Sequence, residues 1–322
     1  MRLGVSLAQA GRLADPVSVR SAAMAAEQVG YSSVWVTDSP AVPRPGPGSS
    51  GPGRNGLGGD GLEPEVGPPG DFAAALDPLT VLTFAAAVTT RVRLGTSVLV
   101  APWYRPALLA RSLASLDALS DGRLMVGLGL GWSLDRFDAV GVPEDELGRR
   151  LDDALDVLGT VWGDGRARRA ARPAPVGFPP TAIGLPAAAP GAGRPPVLLA
   201  GYTPDGLDRV ARRADGWNPS GLPVEMLGPL WATVRDLAAG HGRDPDHLEL
   251  VVRATMTISD QPIDGDRAPY TGTVEQVAAD IVDTRRAGAH EIVLGLTGDH
   301  CLDHVLDAYA RMAEAVDVTA PA

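Results

Sequence analysis

The residues best suited to proton transfer are five histidines, and two of them, His300 and His304, lie one helical turn apart near the end of the chain. Asp299 and Asp303 alternate with them, in a pattern that metal sites also use. A zinc site needs three or four protein ligands, however, and this cluster offers only two histidines. We therefore predict no metal site, and we predict that His300 contacts a substrate or transfers a proton.

The amino-acid composition excludes mechanisms that depend on lysine or on several cysteines. All 28 basic residues are arginine, so Schiff-base chemistry, pyridoxal phosphate attachment and a P-loop lysine are impossible. The single cysteine, Cys301, forms neither an intrachain disulfide nor a cysteine-based zinc site. A formal net charge of −11 disfavours nucleic acid and anionic membranes as partners. Because no apolar run is long enough for a signal peptide or a spanning helix, we expect a cytoplasmic protein.

Three segments have the composition of ligand-binding turns. In Gly-Thr-Ser-Val at 95–98, small side chains let a planar ligand approach, and two hydroxyls are available to bond to it. The run Gly-Leu-Gly-Leu-Gly-Trp at 127–132 has GxGxG spacing rather than GxGxxG, so we interpret it as a strand end whose glycines admit a cofactor closely. In Gly-Tyr-Thr-Pro at 201–204, Thr203 is predicted to cap a helix whose amides and dipole suit a phosphate.

Aromatic side chains make up only 5% of the chain, yet four of them are predicted at strand ends on one side of the molecule. They are Trp103, Tyr104, Trp132 and Trp217. Large apolar rings commonly line the pockets that bind organic molecules. We therefore expect these four residues to form the wall of a pocket for a small-molecule substrate.

Apolar runs typical of strands alternate with amphipathic helical patterns from one end of the chain to the other. The predicted strands are Leu3–Leu7, Ser33–Thr37, Val92–Val100, Arg123–Leu130, Pro196–Ala200, Gly216–Asn218, Leu248–Ile258 and Glu291–Leu296. The predicted helices begin at Pro16, Pro78, Pro106, Glu144, Pro204, Val224, Thr273 and Leu302. Eight such units, joined by right-handed crossovers, favour a closed (β/α)8 TIM barrel, with an open doubly wound sheet as the alternative.

Two segments interrupt this alternation within a chain that we predict to be a single barrel domain over residues 1–322. Residues 40–70, after the second strand, contain ten glycines and eight prolines. We predict a mobile loop here, above the C-terminal mouth of the barrel, that is either a lid or a tolerated insertion. Residues 163–196 are rich in alanine, proline, glycine and arginine, and we predict an irregular insertion before the fifth strand.

Five stretches of the sequence, taken together, resemble the luciferase-like monooxygenase superfamily, and in particular its actinobacterial members that use the deazaflavin F420. The longest is RVRLGTSVLVAPWYRPALLARSLASLDALSDGRLMVGLGLGW, from Arg91 to Trp132. The others are SVWVTDS, GVPEDELGRRLDDALDVLGTVW, PPVLLAGYTPDGLDRVARRADGWNPSG and YTGTVEQVAADIVDTRRAGAHEIVLGL. They follow the order of the family, and together they span nearly the whole chain.

The resemblance implies an F420-dependent oxidoreductase that transfers hydride to or from a small organic substrate at the C-terminal mouth of the barrel. It also implies a non-proline cis peptide at Ser97-Val98. The implied cofactor contacts are Asp38, Thr96, Ser97, Val98, Gly129, Leu130, Gly131, Gly201, Tyr202 and Thr203. Family members are frequently dimers, so we expect a homodimer.

Three positions depart from the pattern of the family. Its deazaflavin-dependent dehydrogenases usually have Asp-His after the second strand, with the histidine as acid or base, whereas this chain has Asp38-Ser39. The candidate catalytic residues are thus Asp38, Ser39 and His300, although serine is a poor proton carrier near neutral pH. Leu130 and Trp132 stand where the family often has a polar residue and a carboxylate. An FMN-dependent monooxygenase and a flavin- or ligand-binding barrel without turnover therefore stay open as alternatives.

Overall fold

The structure is a computed structural model that describes residues 1–38, 75–131, 140–162, 194–296 and 300–316. The strands of this part are β1 (Arg2–Ser6), β2 (Ser33–Val36), β3 (Arg93–Thr96), β4 (Leu99–Val100), β5 (Leu124–Gly129), β6 (Val197–Leu199), β7 (Gly216–Trp217), β8 (Glu249–Ile258), β9 (Thr271–Gly272) and β10 (Glu291–Leu296). The α-helices are α1 (Pro16–Val29), α2 (Pro78–Val88), α3 (Pro106–Leu119), α4 (Leu147–Val161), α5 (Pro204–Arg213), α6 (Val224–Gly240), α7 (Val274–Arg286) and α8 (Leu302–Val316). Ser39, Trp132, the segment 40–70 and most of the insertion 163–196 lie outside the described residues.

The strands form a closed sheet in which neighbouring strands are parallel. From β1, hydrogen-bonded neighbours run through β2, β3, β5, β6, β7 and β8 to β10. The pairing of β10 with β1 closes the ring. Because β4 continues the line of β3 beside β5, these two short strands act as one strand of the barrel. The predicted (β/α)8 TIM barrel is confirmed, and the open doubly wound alternative is wrong.

Local signals place the helix ends where the sequence predicts them. The side chain of Asp15 accepts hydrogen bonds from the amides of Val17 and Ser18 at the start of α1, and Gly30 ends that helix with a φ of 106°. The predicted starts of α2, α3, α5 and α8 also agree with the structure. The helix predicted from Glu144 begins with a 3-10 turn over Glu144–Glu146, and α4 itself starts at Leu147. In the described part of the chain, no helix is both long and apolar enough to cross a membrane.

The middle of the barrel interior is an apolar layer. Its residues are Trp35, Met125, Leu198, Val251 and Val293. Trp35 takes most of the width, because a Cβ placed on Gly95 of β3 would lie 2.2 Å from its indole ring. Only glycine therefore fits on β3 at this level. This layer separates the two ends of the barrel from each other.

The layer nearer the N-terminal ends of the strands is charged. Arg2, Arg93, Glu249 and Glu291 each begin a strand there. Glu291 is fully buried, and its carboxylate bonds to Arg2, Arg93 and the hydroxyl of Ser33. Arg2 also forms an ion pair with Glu249 at 2.7 Å. Because each of these charges has an opposite partner, a polar network closes this end of the barrel without an unpaired charge.

The predicted third strand is interrupted between β3 and β4, where the Ser97–Val98 peptide is cis. Before the interruption Gly95 pairs with Met125, and after it Leu99 pairs with Leu128. Four steps along this strand therefore match three steps along β5, which makes a bulge of one residue. The non-proline cis peptide implied by the sequence resemblance is confirmed.

A carboxylate on α1 fixes the turn that leads into β3. The side chain of Glu27 accepts hydrogen bonds from the amides of Thr90, Arg91 and Val92, at 3.0, 2.6 and 3.0 Å. Burial raises the pKa of Glu27, but these backbone hydrogen bonds outweigh burial, so the pKa lies below its ordinary value. The charged form of Glu27 therefore stabilises the folded chain.

Replacing Glu27 with Gln should lower the free energy of unfolding at neutral pH by about 1 kcal/mol, because a neutral amide accepts hydrogen bonds less strongly than a carboxylate. A lowered pKa makes this contribution present above the unfolded-state value, about 4.3, and lost as the pH falls through the folded-state value. Urea unfolding at neutral and acidic pH measures both effects. Glu314→Gln, at an exposed position on α8, is the control, and an equal deficit of Glu27→Gln at both pH values would contradict the prediction.

Candidate active site

The C-terminal ends of the barrel strands meet at one mouth, which is where barrel enzymes place their reactive groups. Every second side chain along a strand points into the barrel, so a residue at this end faces inward when it lies two residues after an inward residue of the same strand, such as one of the apolar middle layer. These positions include Thr37 after β2, Ser97 in the bulge, Asn218 after β7, and Arg253 and Thr255 on β8. The mouth thus presents hydroxyl, amide and guanidinium groups above an apolar layer.

Thr96 replaces the strand pairing that the bulge removes from β5. Its hydroxyl donates to the carbonyl of Gly127 and accepts from the amide of Gly127, both at 2.9 Å. A hydroxyl serves both groups because it carries a donor and acceptors on one atom. Thr96 is completely buried, so the hydroxyl that was predicted to face a ligand is used within the fold.

The glycines of β5 make room for the bulge. A Cβ placed on Gly127 would lie 2.0 Å from the carbonyl oxygen of Thr96, and one on Gly129 would lie 2.7 Å from Cγ2 of Val98. Protein atoms therefore already fill the space beside both glycines. This corrects the interpretation that Gly127 and Gly129 admit a cofactor closely. Gly131, with a φ of 82°, begins the turn that leaves β5.

Asp38 ties the end of β2 to the chain beyond the bulge. Its carboxylate accepts hydrogen bonds from the amide of Val100 at 3.1 Å and from the hydroxyl of Tyr104 at 2.8 Å. Its own amide donates to the carbonyl of Val98 at 3.3 Å. Burial and the nearby Asp38 both raise the pKa of Tyr104, so the phenol stays protonated and donates. Asp38 therefore shapes the bulge, and its contact with a cofactor stays a prediction.

Gln9 holds the chain on both sides of the first insertion. Its side-chain amide donates to the carbonyls of Thr37 at 2.7 Å and Leu76 at 3.2 Å, and its side-chain oxygen accepts from the amide of Thr37 at 2.8 Å. The backbone carbonyl of Gln9 accepts from the amide of Leu76. The end of β2, and with it Asp38, is thus fixed by the loop that follows β1.

The carbonyl oxygen of Ser97, which belongs to the cis peptide, faces the barrel interior. It accepts hydrogen bonds from the hydroxyl of Thr37 at 3.5 Å and from Nη1 of Arg253 at 3.4 Å. The strand of Arg253, β8, lies opposite β3 in the ring, so the arginine side chain spans the barrel. These groups lie above the apolar layer and form the floor of the mouth.

The turn between β6 and α5 has the predicted helix cap. The hydroxyl of Thr203 accepts a hydrogen bond from the amide of Gly206 at 3.2 Å. The turn packs closely on the helix, since a Cβ on Gly201 would lie 2.9 Å from the backbone of Gly206. Next to it, the hydroxyl of Tyr202 both donates to the carbonyl and accepts from the amide of Ser220. The cap is confirmed, and the phosphate contact at this turn stays a prediction.

Trp217 does not line the mouth, which corrects its assignment to a substrate pocket. It is fully buried in the core cluster, and its indole donates to the carbonyl of Gly201 at 2.8 Å. The reason is strand alternation: Asn218 takes the inward position at the end of β7, so the preceding residue faces the helices. The sequence prediction used only the position of Trp217 at the end of a strand, and did not consider which side of the strand its side chain faces.

Two further aromatic residues predicted for the pocket, Trp103 and Tyr104, have local partners. Tyr104 donates to Asp38, as described above. Trp103 is partly exposed and packs, with Leu130, against the small cluster of Val100, Val142 and Leu147. Both rings therefore support the chain beyond the bulge, and their contact with a substrate stays a prediction.

His300 lies immediately before Cys301 and α8, at the end of the chain segment that follows β10. Its ring stacks on that of His304, with centroids 4.4 Å apart and planes inclined by 17°. Within residues 1–38, 75–131, 140–162, 194–296 and 300–316, no three histidine, cysteine or acidic side chains come close enough to hold a metal ion. A substrate or proton contact of His300 stays a prediction.

Five residues of the mouth were missed from the sequence, namely Gln9, Thr37, Asn218, Arg253 and Thr255. Arg253 interrupts the apolar run of β8 two residues after Val251, and strand alternation alone would have placed both on the same face. Arg253 did not stand out in the sequence, because it is one of 28 arginines and no lysine is present for contrast. Asn218 and Gln9 gave no comparable signal, since each sits in or beside a loop whose path depends on tertiary contacts.

Thr96→Val should destabilise the protein by at least about 2 kcal/mol, because it leaves a buried amide and a buried carbonyl of Gly127 without partners. Thr96→Ser keeps the hydroxyl and is the matched control, with an expected loss of about 1 kcal/mol for one buried methyl group. Urea unfolding of the two variants compares them directly. Equal stability of the two variants would show that the hydroxyl does not hold the bulge.

The sequence matches that of a known family over most of its length. The family described as luciferase-like monooxygenase matches residues 1–268. An uncharacterized protein of Mycobacterium tuberculosis is 34% identical over 180 residues, which are 55% of this chain and 61% of the relative, less than two thirds of its length. A second uncharacterized protein of that organism is 29% identical over 269 residues, covering 77% of this chain and 85% of the relative.

Solved structures share the fold at low sequence identity. A monooxygenase from Streptomyces bottropensis superposes with a TM-score of 0.71 and 21% identity, covering 98% of both chains. An F420-dependent secondary alcohol dehydrogenase with an F420–acetone adduct gives 0.69 and 17%, again over 98% of both. A riboflavin lyase with modified FMN and riboflavin gives 0.68 and 18%, over 99% of this chain and 90% of the other. With the barrel, the bulge and the match over residues 1–268 in agreement, this chain belongs to the luciferase-like monooxygenase family.

Proposed function

We propose that this protein is an F420-dependent oxidoreductase that moves hydride between the deazaflavin and a small organic substrate at the barrel mouth. The observation that supports it most is the bulge at Ser97–Val98, where the carbonyl of Ser97 faces the interior between Thr37 and Arg253. The sequence resemblance associates this bulge with the cofactor site. A solved F420-dependent alcohol dehydrogenase shares the fold along nearly the whole chain.

The polar groups at the mouth suit a deazaflavin or a flavin. Each of these cofactors combines a planar ring, with carbonyl and N–H groups along one edge, with a tail that carries a phosphate group. The hydroxyls of Thr37 and Thr255 lie on the inward side of the mouth. The N-terminus of α5, capped by Thr203, offers the positive end of a helix dipole for the phosphate. This set of donors fits an anionic cofactor.

A bound deazaflavin supplies the hydride chemistry at its C5 carbon, and the chain binds, orients and shields it. Asp38 accepts hydrogen bonds from the amide of Val100 and the hydroxyl of Tyr104, and so keeps the shape of the bulge that would bind the cofactor. The apolar layer beneath the mouth excludes water from below. Because Ser39 does not carry a proton near neutral pH, His300 is the proposed proton carrier.

Titration of the apo-protein with F420, followed by its fluorescence, is expected to show saturable binding of one F420 per chain. FMN in the same titration is expected to bind at least about tenfold more weakly, a difference of about 1.4 kcal/mol. Absence of F420 binding would overturn the proposal. Binding of F420 without reduction or oxidation of any alcohol, ketone or organic acid tested would favour a ligand-binding barrel without turnover.

An FMN-dependent monooxygenase is the second candidate. It is favoured by two fold relatives, the Streptomyces monooxygenase and the riboflavin lyase solved with modified FMN. The two candidates differ in how the reduced cofactor treats oxygen, because deazaflavins react poorly with it. An oxygen electrode with reduced FMN and protein separates them: oxygen consumption that depends on the protein and on an added organic substrate would support the monooxygenase.

Asp38→Asn and Tyr104→Phe form a matched pair that tests the role of Asp38. Both remove or weaken the hydrogen bond between the two side chains, but only Asp38→Asn removes the charge. If Asp38 also contacts the cofactor, as the sequence resemblance implies, Asp38→Asn weakens F420 binding by about tenfold or more, the worth of a hydrogen bond to a charged group, and Tyr104→Phe by less than about threefold. Equal losses in the two variants would mean that Asp38 acts through the bulge alone.

A further inference from the structure

Arg253 is a charged side chain inside the barrel with little to pair with. It stands on the inward face of β8, in step with Val251, and its strand partner on β10 is Val293 of the apolar layer. The residue is partly exposed, yet its Nε is buried without a hydrogen-bond partner in the described part of the chain. Nη1 reaches the carbonyl of Ser97, at 3.4 Å.

The other arginines inside the barrel are neutralised. Arg2 and Arg93 both pair with the buried Glu291, and Arg2 pairs with Glu249 as well. Among the described residues Arg253 has no carboxylate partner. Burial lowers its pKa, and the phenol of Tyr202 is the neighbour that acts in the opposite direction. The barrel therefore balances its interior charge at the N-terminal end and leaves a positive charge at the mouth.

An unpaired interior charge destabilises the folded chain, because the interior solvates it less well than water does. Arginine does not escape this penalty by losing its proton, since the guanidinium stays charged in proteins. A single long hydrogen bond to the Ser97 carbonyl compensates little of it. A charge kept under these conditions is accounted for if a ligand supplies the opposite charge.

The geometry of the guanidinium limits which ligand that is. Nη1 is directed to Ser97, which leaves the edge formed by Nε and Nη2. Nε is buried while the side chain as a whole is partly exposed, so Nη2 is the N–H group that a ligand in the mouth reaches, and it offers a charge-assisted hydrogen bond to a carboxylate oxygen. Thr255, which is exposed, follows Arg253 on the same face of β8, and β8 lies opposite the bulge in the ring.

We propose that Arg253 binds a carboxylate group of the substrate, so that the substrates of this protein are organic acids. This inference rests on the proposed function, because it takes the mouth as the place where the substrate meets the cofactor. Arg253 holds the acid group by its charge and by a hydrogen bond from Nη2, and thereby turns the remaining carbon atoms toward the bulge. It takes no part in the making or breaking of bonds, and its role is to position the substrate.

The test uses 15N-labelled apo-protein and follows the Nε–H signal of Arg253, which is assigned by its absence in Arg253→Lys. Benzoate is expected to shift this signal, and benzamide, a neutral molecule of nearly the same shape, is expected to leave it in place. Arg253→Gln should weaken benzoate binding by about tenfold or more, the worth of hydrogen bonds to a charged group. Arg149→Gln, which removes a partly exposed charge on α4, should bind benzoate like the wild type.

Thermal unfolding of the same variants shows whether Arg253 is merely structural. Loss of an unpaired interior charge should leave the Tm of Arg253→Gln equal to or above that of the wild type, and a clearly lower Tm would overturn the proposal. Equal shifts with benzoate and benzamide would overturn it too. So would a signal that F420 alone moves and benzoate does not, since the cofactor would then supply the charge. Because benzoate is added without cofactor, failure of F420 binding leaves this result separate from that of the proposed function.

Discussion

The shape of the mouth depends on one buried hydroxyl. The hydroxyl of Thr96 forms hydrogen bonds with both the amide and the carbonyl of Gly127. Because this side chain replaces a strand neighbour, the third barrel strand can carry an extra residue. The extra residue turns the carbonyl of Ser97 into the barrel, toward Thr37 and Arg253. It also brings Val100 to the carboxylate of Asp38. The groups that define the candidate site are therefore consequences of a local departure from regular strand pairing.

The barrel is polarised along its axis. At the end where the strands begin, Glu291 and Glu249 neutralise the two inward arginines, and the apolar layer above them separates this network from the mouth. At the mouth, Arg253 is left with a carbonyl and a phenol as its neighbours. A protein that only needed to close its barrel would gain stability from an apolar residue at this position. The asymmetry separates an end that maintains the fold from an end that meets a ligand.

The sequence predicted the architecture well because the responsible signals are local. Asp15 and Gly30 mark the ends of one helix through capping and a left-handed φ, and both act within a few residues. The parallel order of strands followed from the repeated alternation of strand and helix. The predictions of site residues failed at strand ends, where the role of a residue depends on whether its side chain faces into or out of the barrel. Trp217 was placed in a pocket but faces the core, and the glycines of β5 were assigned to a cofactor although they accommodate Thr96 and Val98.

By itself, then, the sequence determined the barrel, its helix ends, the exclusion of lysine chemistry and the family whose bulge lies at Ser97–Val98, since these depend on periodicity, composition and short motifs. Only the tertiary structure decided which polar groups share the mouth. Asp38 with Tyr104, Gln9 with Leu76, and Arg253 with Ser97 are far apart in the chain. Arg253 meets Ser97 because closure of the sheet brings opposite strands across a narrow interior, and the other two pairs meet because the chain leaves neighbouring strands at the same end of the barrel. No local pattern encodes either kind of contact.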